Sequence, residues 1–207
     1  MRRESGLRAR KRPRQDRSRT TVEAILGAAA QIFREHGYAA GTTDRIAERA
    51  GVSIGSVYQY FPNKDALLVV LAERHVDAGF ARLRELLSDA QGSQPSLEAM
   101  LRRFVEGMIA LHSDEPELHR VLFEEAPLPP SLRKNLRQRE TAFAGEIRDL
   151  LESHPEVSMT NPELSATLVV QMIEGLVHGF ILHPPDRIDS KDWTEEIVKV
   201  CFRYLTV

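Results

Sequence analysis

The sequence predicts an all-α protein, with an N-terminal three-helix helix-turn-helix domain followed by a helical bundle. Three observations carry that expectation. Apolar residues recur three and four apart in one segment after another, the period of an amphipathic helix. Between those segments stand Gly, Pro and capping Ser, Thr or Asn, which start and stop helices. Near the N-terminus, two short helical patterns are joined by Gly51-Val52-Ser53, a tight turn of the length and composition of a helix-turn-helix.

The 207 residues, 42% hydrophobic and 28% charged, are enough for one large core or two modest ones. No apolar run approaches the ~18 residues of a membrane span, and the basic N-terminus lacks the apolar segment of a signal peptide. With one cysteine, Cys201, and so no internal disulfide, the expectation is a cytoplasmic protein with no membrane partner and Cys201 as a packing residue. The net charge of −2 hides an asymmetry: residues 1–62 hold 12 Lys/Arg against 6 Asp/Glu, whereas 63–207 hold 16 against 24. Residues 1–19 carry nine Arg/Lys, two acids and almost no apolar side chain. Such a segment cannot bury a core and reads as a disordered basic arm, either a solvated tail or, as the basic end favours, an arm drawn to phosphates.

From Thr20 the helical period begins. Thr20 and Glu23 fit a capping box, Ile25, Ala29, Ile32 and Phe33 share a face, and Gly37 ends the first helix. Thr42 or Thr43 caps a second helix with Ile46, Ala47 and Ala50 inward, and Gly51 stops it. Ser53 caps the third, in which Val57 and Phe61 point to the core. That leaves Ile54, Gly55, Ser56, Tyr58, Gln59 and Tyr60 largely on other faces, an odd set for a merely structural helix, since Gly and Ser raise its conformational cost.

A recognition helix entering the major groove explains the set. Small residues at its start, Gly55 and Ser56, let the backbone approach the duplex. Tyrosine hydroxyls reach phosphates, and Gln59 matches the paired groups of adenine. The bland alternative is that Tyr58 or Tyr60 covers the small core instead. Asn63 caps a fourth helix opened by Lys64, whose charge opposes the helix dipole; a bound phosphate would offset that cost, and a solvated lysine is the plain alternative.

The stretch TTDRIAERAGVSIGSVYQYFPNKDALL, residues 42–68, extended back through ILGAAAQIFREHGYAAGTT, resembles the DNA-binding signature of the TetR family of bacterial transcriptional regulators. The resemblance covers about residues 20–70. By position it implies DNA contacts from Thr43, Ser53, Ile54, Gly55, Ser56, Tyr58, Gln59, Tyr60 and Lys64. Competing motifs lack context. GVSIG fits G-x-S-x-G, but an amphipathic helix precedes it where a nucleophile elbow needs a strand; the S-x-x-K at residues 131–134 has no companion motifs. Metal and nucleotide motifs are missing, so no enzyme, no cofactor and no metal site is expected.

The remainder reads as helix. Leu67, Leu68, Leu71, His75 and Phe80 continue the fourth to about Ser88; Leu97 to Ile109 form a fifth; Pro116 opens a short sixth; Leu132 to Leu151 line a seventh. An eighth runs from Asn161-Pro162-Glu163 to His183, apolar nearly all round, and Trp193, Ile197, Cys201 and Tyr204 mark a ninth. Domain boundaries are expected near 19/20 and 65/66.

The resemblance implies a homodimer in which helices eight and nine pair with their symmetry mates, through Leu168, Gly175, Gly179, Trp193, Ile197 and Cys201. It also implies a small-molecule effector among helices four to eight that shifts the fourth and releases a palindromic operator in double-stranded DNA. Candidate ligand contacts are Phe80, Phe104, Met108, His112, Phe123, Phe143, Met172, Glu174 and His178. Glu174 and His178, four apart on an apolar helix, either satisfy each other or mark a pocket for a mostly apolar molecule with one polar group. A ligand-responsive repressor accounts for motif, charge split and second domain together; a constitutive DNA-binding protein accounts for the first two.

Overall fold

The computed structural model describes residues 16–93 and 95–207, and the described residues are helical and strand-free. Residues 1–15 of the basic arm lie outside them. The helices are α1 (Asp16–Ala40), α2 (Thr43–Ala50), α3 (Ile54–Tyr60), α4 (Lys64–Ser93), α5 (Leu97–Ser113), α6 (Pro116–Arg120), α7 (Pro130–Glu152), α8 (Pro162–Leu182) and α9 (Ser190–Thr206). They group into two compact units: the residues up to Val76 with Glu117–Arg133, and Asp77–Pro116 with Lys134–Val207.

In the first unit, Phe33, Ile46, Val57, Phe61 and Leu67 are almost fully buried. Each such aliphatic or aromatic side chain contributes about 1.5–3 kcal/mol on leaving water. Gly41 lets α2 begin against this core, because a Cβ there would fall 2.5 Å from the Phe33 ring. α1 starts at Asp16, four residues ahead of the expected Thr20 cap. A tertiary bond holds that first turn, Ser18 Oγ to Tyr60 Oη at 2.9 Å, and Glu23 is bound by Arg74 at 2.6 and 2.7 Å instead of closing a capping box. Gly37 breaks the helix at φ 72°, and a last turn follows to Ala40. After α6 the chain makes a π-helical turn, Val121–Glu125, closed by Ala126 N–H donating to the Val121 carbonyl, 3.1 Å, which the sequence does not announce.

In the second unit α5 packs against α8 and α9 around Leu97, Val105, Phe143, Ile173, Val177, Ile197 and Leu205. The Phe143 ring lies 5.5 Å from that of Phe80 and 6.0 Å from that of Phe104, so three helices contribute one aromatic cluster. α4 extends to Ser93 where about Ser88 was expected, since Gly92 alone does not stop a helix and the first residue that does is Pro95.

α8 corrects the expectation that no segment reaches spanning length. By length and composition it is apolar enough to cross a bilayer. One stripe of it, Ala166, Val169, Val170, Ile173 and Val177, is buried in the second unit, as in the core helix of a globular domain. Another stripe, with Leu164, Leu168 and Leu176, stays exposed.

Candidate functional site

The helix-turn-helix is built by short-range caps. Thr42 Oγ1 accepts from Arg45 N–H, Gly51 takes the left-handed conformation at φ 67° that ends α2, and Ser53 Oγ accepts from Ser56 N–H at 3.1 Å to start α3. This turns one face of α3 outward: Ser53, Ile54, Gly55, Tyr58 and Gln59 are exposed and Ser56 partly so. Hydroxyls on that face pair with each other, Ser53 Oγ to Ser56 Oγ at 2.8 Å and Thr43 Oγ1 to Tyr58 Oη at 3.2 Å. The second pair ties the start of α2 to the middle of α3 and presents two hydroxyls side by side, an arrangement suited to phosphate oxygens.

Tyr60 departs from the expected DNA-contacting set. Its side chain is 8% exposed, in the core stripe with Val57 and Phe61, and its hydroxyl is bound to Ser18. Spacing carries the reason: 57, 60 and 61 stand at i, i+3 and i+4, one helix face, so of the two tyrosines Tyr60 is the one that covers the core.

Lys64 has an internal partner. Its ammonium donates to the Tyr38 carbonyl at 2.7 Å and the Ala39 carbonyl at 3.2 Å and lies 4.1 Å from the centre of the Tyr38 ring. The last carbonyls of α1 carry the negative end of that helix dipole, which offsets the cost of a cation opening α4. Asn63 caps α4 as expected, its Oδ1 accepting from Ala66 N–H at 2.9 Å. Tyr38, absent from the candidates, organises this corner: its N–H and hydroxyl donate to Glu125 and Asp65. Its partners lie 26 to 87 residues away, so no local signal marks it.

The first unit also holds Phe123, against the rings of His75 at 5.7 Å and His119 at 4.7 Å; the two imidazoles bond at 3.1 Å. Phe123 belongs to the first unit and the other candidate ligand residues to the second.

Within the second unit Phe80, Phe104 and Phe143 meet, and Phe104 lines an apolar cavity of about 30 Å³ with Leu87, Met100, Ile147 and Ile173. Met108 is buried, and Met172 partly so. His178 bonds to His112 across α8 and α5, Nε2 to Nε2 at 2.9 Å. His112 is buried, which lowers its basicity, and its Nδ1 lies 2.7 Å from the Met108 carbonyl. A carbonyl only accepts, so the proton is on Nδ1; Nε2 of neutral His112 is the acceptor and His178 the donor. Glu174 is pushed up to about 7, first by burial and then by the like charge of Glu140.

The expected pairing face is only partly as drawn. Ile197 and Cys201 are 3% and 1% exposed, inside the unit's own core, and burial pushes the Cys201 thiol up. Trp193 is half-buried, its indole N–H donating to the Leu176 carbonyl at 3.1 Å. Leu168, Gly175 and Gly179 are exposed on α8, and a Cβ at either glycine would meet nothing within 4 Å. Leu164, Leu176, Val200 and Tyr204 complete an exposed apolar face on α8 and α9.

Comparison with known proteins gives a consistent picture. Residues 25–71 match "Bacterial regulatory proteins, tetR family", and residues 96–205 match "Tetracyclin repressor-like, C-terminal domain". The chain is 31% identical over 128 residues to the HTH-type transcriptional activator FasR of Mycolicibacterium smegmatis, covering 61% of this chain and 57% of that protein. It is 33% identical over 89 residues to the HTH-type transcriptional repressor KstR2 of Rhodococcus jostii, 43% of this chain and 44% of that one. It thus spans about half the length of these relatives. A solved structure titled as the transcriptional regulator FadR from Bacillus subtilis in complex with stearoyl-CoA shares the fold, with a TM-score of 0.67 at 17% identity over 89% of this chain and 99% of that one.

Proposed function

Since this chain belongs to the TetR family of DNA-binding transcriptional regulators, we propose that it is a cytoplasmic homodimeric repressor released from a palindromic operator by a small-molecule effector. The observation that carries this reading is the outward face of α3, where Ser53, Ile54, Gly55, Tyr58 and Gln59 are presented by a helix whose own core needs are met by Val57, Tyr60 and Phe61. Of the DNA contacts we keep Thr43, Ser53, Ile54, Gly55, Ser56, Tyr58 and Gln59, with Lys64 positioning the start of α4. One such helix reads a few base pairs, so two copies about 34 Å apart, or a multiple, select a symmetric site. Gln59→Ala is expected to relax base preference at one position of each half-site, losing about 1–3 kcal/mol of discrimination there, and Tyr58→Phe to weaken all sequences alike. Fluorescence anisotropy on a panel of single-base operator variants separates the two, and equal losses across the panel for Gln59→Ala overturn its role.

For the effector we propose a largely apolar molecule with one polar group. The chemistry of the second unit supports that class: an apolar cavity beside an aromatic cluster, with Glu174, His112 and His178 as polar groups on α5 and α8. The stearoyl-CoA named for the Bacillus subtilis protein shares only the apolar part of that description, a long acyl chain, joined to a large phosphate-bearing polar group. At about 30 Å³ the cavity has room for one water, so entry of an effector requires the side chains around it to rotate. The same small volume favours the second reading, a constitutive DNA-binding protein without an effector. Selecting bound fragments from the source genome, then screening small molecules for release of the selected site, tests both. Failure to prefer any duplex over random DNA defeats the repressor. Release that is unchanged in Glu174→Ala defeats the assignment of the pocket, and operator binding that no molecule releases favours the constitutive protein.

A further inference from the structure

Residues 1–15 carry seven Arg or Lys and a single acid, Glu4. α1 begins directly after them, and its first turn is fastened to the recognition helix: Ser18 Oγ and Tyr60 Oη lie 2.9 Å apart although 42 residues separate them in the chain. We infer that residues 1–15 are a phosphate-binding arm that follows the DNA backbone outside each half-site, starting beside the end of α3. This rests on the DNA-binding reading and adds a second, sequence-independent contact beyond the footprint of the recognition helix.

Position comes first. Tyr60 is the last residue of α3 and is 8% exposed, in the core stripe with Val57 and Phe61, so its hydroxyl is a fixed anchor. Val22 is buried one turn after Ser18, and Glu23 is held by Arg74 at 2.6 and 2.7 Å. Ser18, Val22 and Glu23 together fix where α1 starts. That start lies beside the helix whose exposed Tyr58 and Gln59 directly precede Tyr60. Fifteen residues reach at most about 50 Å. A duplex advances about 3.4 Å per base pair, so phosphates beyond the half-site are within range.

Chemistry comes second. Six of the seven cations are arginines, whose planar fork donates two N–H groups to the oxygens of one phosphate. Elsewhere in the first unit Arg49 and Arg74 are matched by Glu35 and Glu23, whereas one acid cannot serve seven cations. Arg19, in the first turn of α1, is exposed and carries the positive charge onto the helix. Met1 and Leu7 are the only large apolar side chains of residues 1–15, too few for the apolar face by which a basic segment lies on a membrane. Phosphate contacts of this kind hold a protein on DNA without reading bases, and they weaken as salt rises.

The test is fluorescence anisotropy with the full-length protein on the selected operator, once trimmed to its two half-sites and once extended by about eight base pairs of unrelated sequence on each side. At about 0.1 M salt the extended duplex should bind at least about 10-fold tighter, its salt slope steeper by about 0.9 for each added phosphate contact. Replacing all seven Arg and Lys of residues 1–15 with Gln should remove both differences and keep the base preference on the trimmed duplex. Ser18→Ala, which unties the first turn of α1, should cut the flank gain by about threefold. Equal affinity and equal slope on the two duplexes overturn the arm, in a comparison that needs no variant to fold. A flank gain that survives the sevenfold replacement overturns it as well. So does capture on phosphatidylserine vesicles that the replacement abolishes, without any flank gain, which assigns the arm to a membrane surface. Operator preference without a flank gain defeats the arm alone, whereas loss of all preference over random DNA defeats the repressor reading.

Discussion

Leu168→Glu is expected to convert the proposed dimer to a monomer and to lower affinity for the selected operator by at least about 100-fold. Leu164, Leu168 and Leu176 on α8 are 51%, 37% and 38% exposed, and Val200 and Tyr204 on α9 are 48% and 40% exposed. Isolated exposed apolar residues are ordinary, but a set that follows the free stripes of two packed helices marks a contact surface. Gly175 and Gly179 on the same helix, with open space over both, let a partner helix come close. In an isologous contact a substitution appears twice, so Leu168→Glu places two like charges in the surface and desolvates both. The loss of affinity follows from geometry rather than from any contact to DNA. Two linked recognition helices bind their half-sites at an effective concentration in the millimolar range, and a monomer forgoes that gain. Sedimentation at about 10 μM and anisotropy on the selected operator measure the two effects. A variant that still sediments as a dimer places the interface elsewhere.

The parts of this protein that were legible in its sequence are those held by neighbours in the chain. Thr42, Gly51, Ser53 and Asn63 each act on a backbone group within four residues, so cap and stop signals located α2, α3 and the start of α4. Long-range partners could not be read. The internal partners of Lys64, the carbonyls of Tyr38 and Ala39, come from 26 and 25 residues away. His112 and His178 form no spacing motif because different helices carry them. On α9, periodicity identifies an apolar stripe but not what it faces: Ile197 and Cys201 turn to the unit's own core, while Val200 and Tyr204 turn out. Tyr60 is a different kind of miss, since its i+3 relation to Val57 already put it on the core face.

Glu174→Gln is expected to stabilise the protein at pH 8 by on the order of 2 kcal/mol and to change nothing near pH 4.5. The carboxyl of Glu174 is raised to about 7 by burial and by Glu140, against an ordinary 4.5. A group whose folded-state pKa is raised binds its proton more tightly when folded, so its contribution is favourable below the unfolded value and is lost as pH climbs through about 4.5 to 7. Above pH 7 the full cost remains, reduced by solvent screening because the side chain is only half-buried. Glutamine keeps the shape and never ionises, which removes the cost and the pH dependence together. For a chain of this size the gain corresponds to about 4–8 °C in melting temperature at pH 8. His112, neutral through burial, titrates in both proteins and cancels in the difference. Equal shifts at pH 5 and pH 8, or a variant that melts lower at pH 8, would show that Glu174 carries no such cost. A native carboxylate that weakens its own fold at neutral pH supports the effector-site role proposed for Glu174, since destabilised side chains are enriched at working sites. The melting experiment therefore bears on function as well as stability: it asks whether the polar part of α8 was shaped by packing or by a ligand.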